Sequence, residues 1–237
     1  MSRGEEMWTL AIVVAAGSGV RMGAGMPKAL VPLAGRPMLA WCLEALAASR
    51  VDGVVLVAPP GMERDADVAV GASVPMVAVV AGGATRSRSV ANGLAALPAS
   101  ARRVLVHDAA RPLLTPALAD AVLDALDDAD GAIAAAPLAD TLKRAGPDLA
   151  VAGTVDREGL WAAQTPQGFH VDVLRYALAA ADPAALDAAT DCASLVEAAG
   201  GRVRLVHSAG PNLKVTTPAD LALAEALLLA RVAEESR

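Results

Sequence analysis

Two cations, Arg21 and Lys28, stand seven residues apart in a loop made mostly of glycine, alanine and serine, Ala15 to Lys28. The loop follows directly on the apolar run Leu10–Val14. Small residues let backbone N–H groups approach a polyphosphate, and two cations can neutralise it. The spacing separates this loop from two better-known nucleotide loops. A dinucleotide fingerprint needs a third glycine where Met22 stands, and an acid at the end of the second strand, where the chain reads Val57-Ala58-Pro59-Pro60. An NAD-dependent oxidoreductase is therefore disfavoured. A P-loop is excluded because no Gly-Lys-Ser/Thr occurs. A nucleotidyl-transfer loop remains, beside the plainer reading of a glycine-rich turn with solvated cations.

Three further segments carry polar chemistry on an otherwise apolar chain. Ala81-Gly82-Gly83-Ala84-Thr85-Arg86-Ser87-Arg88-Ser89 follows a strand and opens a helix, whose free N–H groups favour anions. Arg86 and Ser89 are placed to touch a nucleotide there, or the segment is only a helix cap with exposed arginines. In Val106-His107-Asp108-Ala109-Ala110-Arg111, Asp108 ends a buried strand, where a carboxylate is costly unless used or paired. It can hold Mg²⁺, orient a polar substrate, or close the loop by pairing with Arg111. His107 reads as a structural strand-end residue rather than a general base. Thr141, Lys143 and Arg157, with Gln164-Thr165-Pro166-Gln167 beyond them, fit a phosphate pocket weakly. Lys214 lies inside the strand-like run Asn212–Thr216, where snorkelling is the ordinary fate of a lysine.

These segments are positioned by an alternation of short apolar strands and amphipathic helices. Strands are expected at Trp8–Val14, Val54–Ala58, Val77–Ala81, Arg103–His107, Ala132–Ala136 and Arg202–His207. Helices are expected at Met38–Ala48, Ser87–Ala96, Thr115–Leu126, Val171–Ala180, Asp191–Ala199 and from Pro218 to about Glu234. The Ser87–Ala96 helix is expected to start at Ser87 or Arg88, and Thr115 and Thr217 are expected as N-caps. The pattern predicts a single α/β domain over residues 1–237. Its sheet is open, mostly parallel and Rossmann-like, with helices on both faces and ligands beyond the strands' carboxyl ends. Residues 138–168 break the rhythm and read as a projecting β-hairpin arm. An isolated hairpin is marginal in water, so the arm is expected to pack on a second subunit.

Composition narrows the partners. The chain has 237 residues, 55% of them hydrophobic but only 2% aromatic, and a net charge of −6. An acidic chain without aromatic platforms is not a general nucleic-acid binder. Cys42 and Cys192 lack metal-ligand spacing and fit free thiols in a reducing cytoplasm. Glu5 and Glu6 flank the first apolar run wrongly for a secretion signal, and no run is long enough to predict a membrane span.

Taken in order, AAGSGVRMGAGMPK, AGGATRSRSVANGL, VLVHDAARP, ADTLKR, LWAAQTPQGF, TDCASLVEAAG and NLKVTTPADLALAEALL resemble the 2-C-methyl-D-erythritol 4-phosphate cytidylyltransferase family of the non-mevalonate isoprenoid pathway. The resemblance spans residues 15 to about 228, and VHDAARP together with QTPQGF is its specific part. It implies a nucleotidyltransferase in which a phosphate oxygen of the acceptor attacks the α-phosphorus of CTP and pyrophosphate leaves. By position, Arg21 and Lys28 correspond to the pair that stabilises charge on the triphosphate, and Arg157 and Lys214 to the pair that holds the attacking phosphate. Ala15, Ala16, Gly17, Gly83, Arg86 and Ser89 correspond to CTP contacts. Asp108, Arg111, Thr141, Thr165 and Thr190 correspond to sugar-phosphate contacts, with Mg²⁺ near Asp108. The resemblance also implies a homodimer in which each arm reaches the other subunit's site. Ribitol 5-phosphate, or another sugar-alcohol phosphate, is the rival acceptor. A binding-only homologue is the rival without turnover, against which the four cations stand. The chain departs from the family pattern at Ala29-Leu30, Ala84 and Cys192.

Overall fold

The computed structural model of the chain describes residues 8–17, 19, 26–64 and 74–235. The first apolar run forms strand β1 (Trp8–Val14), and a short ribbon follows, β2 (Pro32–Leu33) with β3 (Arg36–Pro37). Helix α1 (Met38–Ala47), strands β4 (Gly53–Ala58) and β5 (Met76–Ala81), helix α2 (Arg86–Ala95) and strand β6 (Ala101–Asp108) come next. Helix α3 (Pro116–Asp124) leads to β7 (Gly131–Pro137), then to a ribbon of β8 (Leu142–Ala145) and β9 (Val151–Val155). The chain closes with β10 (Trp161–His170), α4 (Val171–Ala180), α5 (Pro183–Ala188), α6 (Ala193–Ala198), β11 (Val203–His207) and α7 (Pro218–Glu235).

Seven strands pair in the order β11-β7-β10-β6-β1-β4-β5. All neighbours are parallel except β10, which runs antiparallel to both β6 and β7. Central strands covered on both faces read as continuous apolar runs, and every residue of β4 is buried. The two-residue pleat divides the core. Ala11 and Val13 of β1 face Leu39, Leu43 and Leu46 of α1 and Val122 of α3. Leu10 and Ile12 face Val90 and Leu94 of α2 and Leu174 of α4. Helices thus cover both faces, as the alternation predicts. Helix α7 packs through Ala224 and Leu228 on a third cluster with Leu33 and Met38.

From β1 the chain builds outward through β4 to β5 and then crosses to β6 on the other side of β1. The strand order reverses there, which opens a crevice at the carboxyl ends of β1 and β6. The loops after β1, β5 and β6 border it.

Three expectations are corrected. The arm does not extend to residue 168: its paired strands end at Val155, and Trp161–His170 belongs to the main sheet, with Trp161 opposite Pro137 and Gln167 opposite Ile133. The polar, proline-containing centre Gln164-Thr165-Pro166 hides this strand from a periodicity reading. It is tolerated because the register shifts between Ala163 and Gln167, releasing the ladder where Pro166 has no N–H to give. Helix α2 is capped by Thr85, whose hydroxyl accepts from the Arg88 N–H, so it starts ahead of Ser87. Helix α5, capped by Asp182, falls where the sequence pattern predicts none. Thr115 caps α3 as expected, with Pro116 at the first helical position.

Helix α2 sits close to the sheet because Gly93 has no side chain. A Cβ there would lie 2.6 Å from Ile12 Cγ2 and 3.0 Å from Val57 Cγ2, both on buried β-branched residues. Gly93→Ala is therefore expected to destabilise the fold by roughly 1–3 kcal/mol. On an exposed helix the same change would stabilise by about 1 kcal/mol. Urea denaturation midpoints decide; a raised midpoint would show that no close approach exists.

Candidate active site

The crevice holds a cleft of about 470 Å³. The loop after β1 supplies Ala15, Ala16, Gly17 and Gly19, and Lys28 lies beside them at the start of a single 3₁₀ turn, Lys28–Leu30. Gly19 has φ +69°, and its Cα lies so close to Lys28 that a Cβ would stand 3.2 Å from the Lys28 backbone nitrogen. The Lys28 N–H donates to the Gly17 carbonyl at 3.3 Å, which folds the loop back on itself. The loop after β5 contributes Gly83, Arg86 and Ser89. Gly82 permits the two loops to touch, since a Cβ there would fall 2.3 Å from the Ala16 Cβ. Ser89 Oγ accepts from the Gly83 N–H at 3.0 Å and donates to the Thr85 carbonyl at 2.9 Å.

Asp108 ends β6 at the floor of the cleft, and its carboxylate is the charge centre of the site. Oδ1 accepts from Arg86 Nε at 2.9 Å and Oδ2 from Lys214 Nζ at 2.7 Å. Burial alone would raise the Asp108 carboxyl, but the charges and hydrogen bonds of Arg86 and Lys214 outweigh it and hold the group well below the usual carboxylate range. Arg86 is the more enclosed cation, its side chain 18% exposed against 43% for Lys214. Its Nη1 donates to the Cys192 sulfur at 3.6 Å, a weak acceptor. Its buried Nη2 has no hydrogen-bond partner among the described residues. A site with an unspent guanidinium donor beside two lysines is built to receive an anion.

The Arg111 side chain makes no ion pair with the Asp108 carboxylate; the loop is closed instead by the Arg111 backbone N–H, which donates to the Asp108 carbonyl at 2.9 Å. Arg111 Nη1 donates to the Asn212 carbonyl at 2.6 Å, two residues before Lys214. Thr165 is 4% exposed and lies under Asp108 rather than in the cleft; its Oγ1 accepts from the Asp108 N–H at 3.1 Å. Thr141 and Thr190 are not among the cleft-lining residues. Arg157 is also outside the cleft: its Nη1 donates to the carbonyls of Leu138, at 2.7 Å, and Ala139, at the base of the arm. Arg21 lies outside the described residues. The structure therefore brings together Ala15, Ala16, Gly17, Lys28, Gly83, Arg86, Ser89, Asp108 and Lys214. Sequence reading missed the Asp108–Arg86 and Asp108–Lys214 pairs, although a lone acid at a buried strand end signals that a distant cation must meet it.

Both Asp108 oxygens are engaged by cations. No group of three or more potential His, Cys, Asp or Glu ligands converges among the described residues. Nor does any described helix have the length and apolarity to cross a membrane.

An open α/β sheet with a cationic, glycine-lined cleft at its topological switch point defines a nucleotide-handling enzyme. Residues 9–230 match the model of the 2-C-methyl-D-erythritol 4-phosphate cytidylyltransferase family. A relative of that name from Parasynechococcus marenigrum is 47% identical over 93% of this chain and 97% of its own length. Another, from Frankia casuarinae, is 50% identical over 92% of this chain and 80% of its own. The crystal structure of the Thermus thermophilus protein of that name superposes with a TM-score of 0.77 at 36% identity, covering 92% of this chain and 97% of that one. The chain belongs to the 2-C-methyl-D-erythritol 4-phosphate cytidylyltransferase family.

His107, next to Asp108, is fully buried, and burial is the main force that lowers its ionisation from the ordinary 6.5 to about 4; Arg111 and Arg86 push the same way, against Asp108 and the Arg111 carbonyl. The folded protein thus keeps His107 neutral where the unfolded chain takes up a proton. Stability is fully present above pH 6.5 and is lost as pH falls towards 4. The loss should reach about 2 kcal/mol between pH 7 and pH 5. Chemical denaturation at both values measures it, and His107→Gln should flatten the dependence. An equal slope in that variant would assign the acid sensitivity elsewhere.

Proposed function

We propose that this chain transfers a cytidylyl group from CTP to 2-C-methyl-D-erythritol 4-phosphate. A phosphate oxygen of the acceptor attacks the α-phosphorus of CTP. The bond to the β-phosphate oxygen breaks and pyrophosphate leaves, giving 4-diphosphocytidyl-2-C-methyl-D-erythritol for isoprenoid precursor synthesis. The convergence of Lys28, Arg86 and Lys214 on one cleft, in a chain of this family, carries the reading.

The nucleophile is a phosphate already ionised at neutral pH, so no general base is needed. Buried, neutral His107 agrees with that. Positioning and charge neutralisation supply the catalysis. Ala15, Ala16, Gly17, Gly83 and Ser89 present small side chains and backbone groups to the nucleotide. Lys28 faces the triphosphate, whose charge Arg21 is proposed to help neutralise, and Lys214 holds the attacking phosphate. Asp108 keeps Lys214 and Arg86 a fixed distance apart. Mg²⁺ is proposed to arrive on the triphosphate, which carries hard oxygen ligands that a doubly ion-paired carboxylate does not supply.

Arg157, away from its own subunit's cleft, is proposed to serve the partner of a homodimer, together with Thr141 on the same arm. The arm supports this. Among the described residues its strands pair only with each other, and it exposes Leu149 and Val151, 85% and 66% accessible. Two buried free thiols, Cys42 and Cys192, support a reducing, cytoplasmic setting.

Turnover with CTP should favour 2-C-methyl-D-erythritol 4-phosphate over ribitol 5-phosphate; preference for the latter would overturn the acceptor assignment. Lys28→Ala should lower kcat by roughly 100-fold or more, as for loss of one transition-state donor. Mixing inactive Lys28→Ala and Arg157→Ala subunits should restore about one quarter of wild-type activity, since half the dimers carry one complete site. No recovery on subunit exchange would place Arg157 in its own subunit's site.

A further inference from the structure

Beneath the cleft floor runs a chain of hydrogen bonds whose directions are all determined. His107 Nε2 lies 3.1 Å from the Arg111 carbonyl oxygen, which can only accept, so Nε2 carries the proton. In the neutral ring Nδ1 is then an acceptor, and it lies 3.2 Å from Thr165 Oγ1. The Thr165 hydroxyl donates to Nδ1 and accepts from the Asp108 N–H at 3.1 Å. Moving the ring proton from Nε2 to Nδ1 would set acceptor against acceptor at the Arg111 carbonyl and leave the buried Thr165 hydroxyl proton without its partner. The same network holds the opposite wall. Asn212 Nδ2 donates to the Thr165 carbonyl at 2.8 Å and to Gln164 Oε1 at 2.9 Å, while the Asn212 carbonyl receives Arg111 Nη1. Three segments distant in sequence are thus fixed to one another, and Asp108 and Lys214 stand at their upper ends.

We propose that His107, acting through Thr165, is a positioning residue for the Asp108–Lys214 pair, and that its neutral Nε2–H tautomer is the form that sets the pair. The proposal rests on the cytidylyltransferase reading for its kinetic consequence, though not for the tautomer itself. A ring with the proton on Nδ1 would set the Nε2 lone pair against the Arg111 carbonyl oxygen and take away the acceptor of the Thr165 hydroxyl proton, loosening the floor of the acceptor side. Misplacement of that kind costs rate through orientation rather than through loss of a contact with substrate. Neither His107 nor Thr165 needs to touch the reacting atoms.

Two experiments test it. The first needs no activity: ¹⁵N–¹H imidazole spectra of the intact protein near pH 7 should show His107 neutral and protonated on Nε2. Only three histidines are present, so His170→Gln and His207→Gln identify its signals by elimination. An Nδ1-protonated or doubly protonated ring overturns the proposal whatever the enzyme turns over. The second is kinetic. Thr165→Val keeps the shape and removes the hydroxyl, His107→Asn removes the donor to Arg111, and Thr165→Ser restores the hydroxyl. The first two should lower kcat/KM for the acceptor roughly 10- to 100-fold, with Thr165→Ser near wild type. CTP affinity by titration should fall less than acceptor use, because Arg86 is the one nucleotide contact tied to Asp108, while Gly83 and Ser89 are held by bonds of their own loop. Combining Thr165→Val with His107→Asn should cost little more than either alone, since both cut the same chain. Equal losses in CTP affinity and acceptor use, additive losses, or failure of serine to rescue would reduce the network to a packing role. A wild-type protein that fails to turn over the acceptor would sink the functional reading while leaving the tautomer result standing.

Discussion

A carboxylate at the buried end of β6 is tolerable only if cations meet it, and much of the site follows from that requirement. Asp108 is met by Arg86 from the start of α2 and by Lys214 from a segment near the C-terminus. Taking such a charge out of water costs several kcal/mol, and losing one partner of a buried pair costs on the order of 3–5 kcal/mol. The arrangement is better understood as a device for holding two like charges near each other than as a source of stability. Without Asp108, the Arg86 guanidinium and the Lys214 ammonium would repel across a low-dielectric floor. With it, they stay in place and leave donors over for a ligand.

The sheet supplies the geometry that this pairing needs. Parallel strands β1 and β6 end at the same level, so their loops face one crevice. The antiparallel strand β10 brings Gln164 and Thr165 under it from the other direction, at the point where its ladder is interrupted. Gly82 lets two loops approach closer than a side chain permits, and Gly19 supplies a positive φ beside Lys28. Below the floor, His107, Thr165 and the Asp108 N–H satisfy one another, while Arg86 Nη2, Arg111 Nε and Asn212 Oδ1 are the buried side-chain atoms left without a partner among the described residues.

Much of this was legible in the sequence because it is local. Strand alternation, the Thr115 and Thr217 caps and the glycine-rich turns are written in neighbouring residues, and they fix both the doubly covered sheet and the loops that carry the site. What was not legible is non-local. Strand β10 hides behind a polar, proline-containing centre whose irregularity makes sense only against β6 and β7. Asp108 resembles an acid awaiting nearby Arg111, yet its partners lie 22 residues before and 106 residues after it. Lys214 reads as a snorkelling lysine because nothing adjacent reveals the carboxylate it meets. Thr165 corresponds to a sugar-phosphate contact only by resemblance, and nothing in its motif marks the buried place it takes beneath Asp108.

The placement of Lys214 also has a consequence for how the protein comes into being. A ribosome releases residues in order, and β1, β4, β5 and β6 are all outside the tunnel long before Lys214 is made. Until then Asp108 has only half of its counter-charge, and β10, the wall beneath it, is itself a late arrival between two strands already synthesised. The nascent chain can form much of its sheet and still lack a working centre. A chain that stops before Lys214 keeps most of its strands yet leaves Asp108 with only one of its two cations.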